Sequence, residues 1–205
     1  KIKIKLFKNL PGFHFLSSKT FDLKKELCLS QNKKILLYQG KLHYGRGIRF
    51  VIECMKNMKN VVLVIIGDGP MKEIYIKSAK KYNLEDKLYF IDAVPYLDLA
   101  KYSSSAYIGL SVIQPISKSY ENALPNKLFE YSVSGLPFIC SNLTAMQKAV
   151  NELKSGIAIQ HNNHSEFINA YEKISSNYDD FVIDEEKRMS LLWDQNNNLS
   201  DVING

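Results

Sequence analysis

PISKSYENALPNKLFEYSVSGLPFIC, residues Pro115 to Cys140, joins an apolar run to a helix start. The run before it, Tyr107-Ile108-Gly109-Leu110-Ser111-Val112-Ile113, reads as a buried strand, and a long polar loop then leads into Asn126-Lys127-Leu128-Phe129-Glu130-Tyr131. Pro125 sets the φ of a first helical turn, and Asn126 and Lys127 fall inside that turn. Open α/β sheets present unpaired backbone N–H groups to an anion through this strand, loop and helix order. Glu130, four residues after Asn126, falls on the same side of the helix. An anion site with a carboxylate one turn away suits a ligand carrying both phosphate and hydroxyl groups.

Strands and helices alternate outward from this segment. Lys34–Gln39, Val61–Ile66, Lys87–Ile91, Ala106–Val112, Pro137–Cys140 and Gly156–Gln160 read as strands, most of them continuously apolar. Between and after them the spacing predicts helices over Gly47–Met58, Met71–Tyr82, Pro95–Tyr102, the segment from Asn126, Thr144–Leu153 and Ser165–Ser175. Apolar strands separated by helices form a parallel sheet covered on both faces, so the fold class is a doubly wound, Rossmann-like α/β domain. The opening KIKIKLFKNLPGFHF alternates like a half-buried strand without an evident partner, and it points to a piece of a longer protein.

Composition narrows the function classes. The 205 residues are 45% hydrophobic, enough for one core of ordinary size. The net charge of +6 comes from scattered lysines, which make a solvated basic surface with a weak attraction for anionic membranes or phosphorylated substrates. No basic stripe interleaved with aromatic residues argues for nucleic acid. Cys28, Cys54 and Cys140 are odd in number and adjoin apolar segments, as free buried thiols do. No apolar run approaches the ~20 residues of a membrane span. His161 and His164 bracket two asparagines without a cluster of acidic or thiol companions and read as a polar turn, so no metal is expected.

Three loops follow strand ends, where such sheets bind ligands. Gly40-Lys41-Leu42-His43-Tyr44-Gly45-Arg46-Gly47 sets three glycines and two cations between a strand and a helix, so the backbone can approach a diphosphate while Lys41 and Arg46 neutralise it. The same loop also reads as a plain glycine-rich turn with exposed basic residues and His43 at its surface. Gly67-Asp68-Gly69-Pro70 is the second loop, and Lys72 stands where a dinucleotide fingerprint has its third glycine. The third precedes Asn126.

Together these segments resemble the C-terminal donor-binding domain of the group 1, or family 4, retaining glycosyltransferases of GT-B fold. The likeness runs from Lys34 to about Ile174 and reappears near Trp193. Gly40-Lys41, four residues, Arg46-Gly47 resembles the family's Gly-Arg, four residues, Lys-Gly with the cations exchanged. Ile65-Ile66-Gly67-Asp68-Gly69-Pro70, Tyr89-Phe90-Ile91-Asp92-Ala93-Val94 and Leu124-Pro125-Asn126-Lys127-Leu128-Phe129-Glu130-Tyr131 with Ser134-Gly135-Leu136-Pro137 are similar to three further family segments. The family's paired glutamates, with seven residues between them, are met only at Glu130; the first falls on Asn122, with Glu121 one position early.

The resemblance implies that residues 1–205 are the nucleotide-sugar half of a longer enzyme whose N-terminal acceptor domain is absent, with terminal helices over 181–205 that cross to it. It implies a nucleoside-diphosphate sugar donor, a polysaccharide or lipid-linked acceptor, and action in the cytoplasm at the inner membrane face, without cofactor or metal. Lys41 and Arg46 are then the catalytic cations. Gly40, Ala93, Val94, Glu121, Asn122, Leu124, Pro125, Asn126, Lys127 and Glu130 bind the donor, with Glu130 on the ribose, Ala93 and Val94 at the base and the amides from Leu124 to Lys127 at the diphosphate. The terminal apolar residues, deprived of their partner domain, are expected to stay exposed in part and to drive concentration-dependent association. A nucleotide-sugar epimerase of the same architecture and a non-catalytic nucleotide-sugar-binding module remain alternatives.

Overall fold

A computed structural model describes residues 9–16 and 21–196 of the chain. Six strands, β1 (Lys34–Gln39), β2 (Val61–Ile66), β3 (Leu88–Ile91), β4 (Ile108–Ser111), β5 (Phe138–Ser141) and β6 (Gly156–Ile159), pair in the order β3-β2-β1-β4-β5-β6. All five pairings are parallel. The helices are α1 (Leu23–Glu26), α2 (Ile48–Met55), α3 (Lys72–Lys81), α4 (Leu99–Ser105), α5 (Lys118–Glu121), α6 (Lys127–Val133), α7 (Thr144–Leu153), α8 (His164–Ser176), α9 (Glu185–Ser190) and α10 (Trp193–Asn196).

The strands lack alternation because both of their faces are buried. Leu36, Tyr38, Leu63 and Ile65 point into one core with Ile48, Val51 and Ile52 of α2, Tyr75 of α3 and Phe167 of α8. Their neighbours Ile35, Leu37, Val62 and Val64 point into the other with Ala100 of α4, Leu128 and Tyr131 of α6 and Met146 of α7. Tyr131 shows why one position of β4 is glycine. A Cβ on Gly109 would lie 2.4 Å from Tyr131 Cδ2, and the buried Tyr131 hydroxyl donates to the carbonyls of Leu37 (3.3 Å) and Leu110 (3.5 Å). The order of strands reverses between β1 and β4, so the carboxyl ends of these two strands open the crevice.

Several expectations are corrected. The polar loop before Asn126 contains the one-turn helix α5, started by Ser117, whose hydroxyl accepts from the Tyr120 N–H at 3.4 Å. The segment from Pro95 begins as a 3-10 turn, Tyr96–Asp98, and continues as α4 to Ser105. Cys28 is exposed, at a left-handed φ of 51°, because it terminates the turn after α1; Cys54 and Cys140 are buried, and burial pushes both thiols up to about 12.

The terminal segment combines partial exposure, with Phe181, Val182, Ile183 and Trp193 half-buried, and packing within this domain. Leu191 and Leu192 are buried in this domain's own core, the Trp193 N–H donates to the Pro11 carbonyl at 2.9 Å, and Arg188 Nε donates to the Val133 carbonyl at 2.5 Å. These leucines close the edge of the α6 layer, which leaves Met189 as the large apolar residue exposed there among the described residues. The alternating segment over 1–8 and the tail over 197–205 lie outside the described residues.

Candidate functional site

The loops that follow β1, β2 and β4 are stitched to each other by backbone hydrogen bonds. Gly40 N–H donates to the Ile66 carbonyl (2.9 Å), Leu42 N–H to the Asp68 carbonyl (2.9 Å), and Gln114 N–H to the Gly45 carbonyl (2.8 Å). Gly67 sits so close to the first loop that a Cβ there would lie 1.9 Å from the Gly40 carbonyl oxygen, and its φ of +144° is one that side-chain-bearing residues rarely adopt. Tyrosines lock the first loop from beneath: Tyr38 donates to the Lys41 carbonyl (2.9 Å), Tyr75 to that of His43 (3.2 Å) and Tyr120 to that of Tyr44 (3.2 Å).

Two cations meet in the crevice. Lys127, at the start of α6, lays its ammonium 3.9 Å from the centre of the Tyr38 ring and 3.3 Å from where a Cβ on Gly40 would sit. Arg46 holds its guanidinium 5.1 Å from the centre of the Tyr120 ring, and its Nε is buried without a hydrogen-bond partner. Burial first, and then the charge of Arg46, lower Lys127 to about 7, with Glu130 acting the other way. Both cations are half-buried, and among their nitrogens Arg46 Nε is the one buried without a hydrogen-bond partner.

Glu130 lies one turn further along α6 and is 5% exposed. Gln39 Nε2 donates to Glu130 Oε2 at 2.8 Å, and Ser103 Oγ donates to Gln39 Oε1 at 3.0 Å, which fixes the Gln39 amide with its donor toward the carboxylate. Tyr96 brings its hydroxyl to the same carboxylate, and its ring packs edge-on against Phe15. Burial raises the Glu130 carboxyl despite these donors and the nearby Lys127.

The remaining residues singled out by sequence are distributed around this cluster. Lys41 adjoins Gly40, but its side chain is exposed. Ala93 is exposed and Val94 half-buried in the loop after β3, whose entry is held by an ion pair between Lys72 of α3 and Asp92. Leu124 and Asn126 are exposed and Pro125 half-buried; the N–H groups of Leu128 and Glu130 donate to the carbonyls of Pro125 (3.2 Å) and Asn126 (3.0 Å). Glu121 and Asn122 end the exposed helix α5, where the Asn122 amide donates to the Lys118 carbonyl at 2.9 Å. His43 is exposed.

His164 does have an acidic neighbour: its Nε2 is 3.8 Å from Glu53 Oε2, a residue far away in sequence that α2 brings across. Among the described residues no group of three His, Cys, Asp or Glu side chains could hold a metal. No helix among them is long and apolar enough to cross a membrane. Sequence reasoning missed Tyr38, Gln39, Tyr96, Ser103 and Tyr120. Gln39 carried a signal, being the one uncharged polar side chain in an apolar strand and standing at its carboxyl end.

Known proteins share this arrangement of strands and loops. The chain is 20% identical over 174 residues to an uncharacterized glycosyltransferase of Methanocaldococcus jannaschii, which covers 82% of this chain and 43% of that protein. Among solved structures it is similar to WaaG, a glycosyltransferase involved in lipopolysaccharide biosynthesis (TM-score 0.73, 16% identity, 96% of this chain and 55% of that one). It is also similar to HepE of Anabaena, solved with UDP-glucose (TM-score 0.70, 13% identity, 89% of this chain and 51% of that one). The chain thus spans about half the length of these relatives. The model of the family "Glycosyl transferases group 1" matches residues 19–191, most of the chain, and the protein belongs to that family.

Proposed function

We propose that this chain is the donor half of a retaining glycosyltransferase, binding a nucleoside-diphosphate sugar for transfer to a polysaccharide or lipid-linked acceptor held by a second domain. The observation that carries this reading is the convergence of Arg46 and Lys127 one helical turn from the buried carboxylate of Glu130, at the crevice between β1 and β4. The diphosphate lies between the two cations, with Lys41 at the loop's outer edge, and the ribose hydroxyls replace the Tyr96 hydroxyl at Glu130. The base then rests against the loop of Ala93 and Val94. HepE, solved with UDP-glucose, makes a uridine nucleotide the first ligand to try.

Cleaving the anomeric C–O bond builds negative charge on the departing nucleoside diphosphate. Fixed cations aimed at that charge lower the barrier without reorganising during the step, and removing one such group costs about 3 kcal/mol, roughly a hundredfold in rate. Arg46 suits this role because its guanidinium is already held on Tyr120 and, among the described residues, makes no ion pair with a carboxylate.

Asn122 supports a second reading, a binding module without transfer activity. It occupies the position of the family's first glutamate, and its amide is committed to the Lys118 carbonyl. A thermal-shift panel of nucleoside diphosphates tests the site, since a ligand that binds only the folded state raises the melting temperature by mass action. A rise with one base and none with inorganic sulfate supports the donor site, and no rise with any nucleotide refutes it. Donor hydrolysis or transfer by the full-length protein then separates enzyme from module.

A further inference from the structure

Three buried polar side chains from three elements make one chain beneath the crevice: Ser103 of α4, Gln39 at the carboxyl end of β1 and Glu130 of α6. Ser103 Oγ donates to Gln39 Oε1 at 3.0 Å, and Gln39 Nε2 donates to Glu130 Oε2 at 2.8 Å. The layer around them is apolar, with Leu37, Ala100, Leu128 and Tyr131 among its members. A buried amide is tolerated in such a layer only when both of its ends are paired, so packing alone favours an apolar residue at position 39. The chain also has a direction. An ionised carboxylate only accepts, so the Gln39 amide turns its N–H group to Glu130 and leaves its carbonyl oxygen to the Ser103 hydroxyl. Burial pushes the Glu130 carboxyl up, and Gln39, then Lys127, then the Tyr96 hydroxyl pull it back. In the proposed complex Lys127 turns to the diphosphate and the Tyr96 hydroxyl yields to the ribose, which leaves Gln39 as the partner that stays.

Resting on the reading of Glu130 as the carboxylate that holds the ribose, we propose that Gln39 and Ser103 are positioning residues for the nucleoside. Ser103 holds the Gln39 amide, and the amide holds Glu130 charged, with Oε2 tied down and the rest of the carboxylate left to the ribose hydroxyls. Neither residue touches the ligand. Without the Ser103 hydroxyl, Gln39 Oε1 is a buried acceptor with no partner, a state that drives the amide toward other rotamers and off Glu130. Without the amide, Glu130 keeps its place on α6 but loses the donor that fixes its orientation and favours its charge.

The test is calorimetric titration of the 205-residue chain with UDP, GDP, CDP and ADP. Variants are then titrated with the tightest of these and with inorganic pyrophosphate, which has no ribose. Gln39→Met, close in size and without a donor, should weaken the nucleotide about tenfold, the worth of one hydrogen bond to a charged group. Ser103→Ala, which removes a single oxygen, should weaken it about fivefold, the worth of one neutral hydrogen bond, and carries the test if Gln39→Met does not fold. Pyrophosphate should lose less than about twofold in both variants. On a Glu130→Ala background either change should cost the nucleotide less than about twofold, because both act through that carboxylate. Wild-type affinity in both variants overturns the proposal and leaves the donor site standing. Equal losses for nucleotide and pyrophosphate, or undiminished losses on the Glu130→Ala background, also overturn it and make the pair a structural support. Absence of binding of every nucleotide by the wild type overturns both readings.

Discussion

Replacing Glu130 by glutamine separates the ribose contact from the phosphate contact. The side chain keeps its shape and an acceptor oxygen for Gln39 Nε2, now 2.8 Å from Oε2, but it loses the charge. If two ribose hydroxyls donate to this carboxylate, each loses about 1 kcal/mol in going from a charged to a neutral acceptor. The expected sum, about 2 kcal/mol, weakens UDP binding roughly thirtyfold. Inorganic pyrophosphate, which has no ribose, should lose less than about threefold. Stability should move the other way. Burial raises the folded-state pKa of Glu130, so between the unfolded and folded values the native state binds more protons and stability falls as pH rises. Glu130→Gln removes that fall and should melt no lower than the wild type at pH 8. Calorimetry with both ligands at pH 8, with thermal melts beside it, makes the comparison. Equal losses for UDP and pyrophosphate, or no loss for UDP, would refute the ribose assignment.

Arg46→Ala should lower UDP affinity and donor turnover about a hundredfold, whereas Lys41→Ala, whose side chain is exposed, should cost less than tenfold; calorimetry with each variant and with the pair checks the order. Lys127→Met should raise the melting temperature of the free protein while weakening UDP, because it removes a half-buried cation that Arg46 repels. Its sign follows from linkage: the unfolded lysine holds its proton between pH 7 and about 10.4 where the folded one does not, so wild-type stability rises with pH across that window and the variant's does not. Gly109→Ala should cost about 2 kcal/mol or more, since its Cβ would lie 2.4 Å from the Tyr131 ring, and the shift shows in the urea midpoint.

The sequence by itself determined the layering of this protein. The limits of β1 and β2 and of α7 coincide with the expected Lys34–Gln39, Val61–Ile66 and Thr144–Leu153, because hydrophobic periodicity and strand length are local properties. It also placed polar loops at the carboxyl ends of the strands and a helix start at Pro125. The fates of Leu191 and Leu192 were beyond it, since whether an apolar face meets its own domain or another depends on the path of the chain in space.

Only the tertiary structure decided which polar residues act together. Lys41 and Arg46 looked equivalent in one loop, yet Lys41 lies outside while Arg46 turns in toward Lys127, 81 positions away along the chain. Gln39 holds Glu130 across a separation of 91 residues, Ser103 fixes Gln39 across 64, and Tyr96 reaches the carboxylate from the loop after β3. Electrostatics and hydrogen bonding act through space, so the pairing of charges is set by strand order and loop packing, and periodicity along the chain carries no record of it.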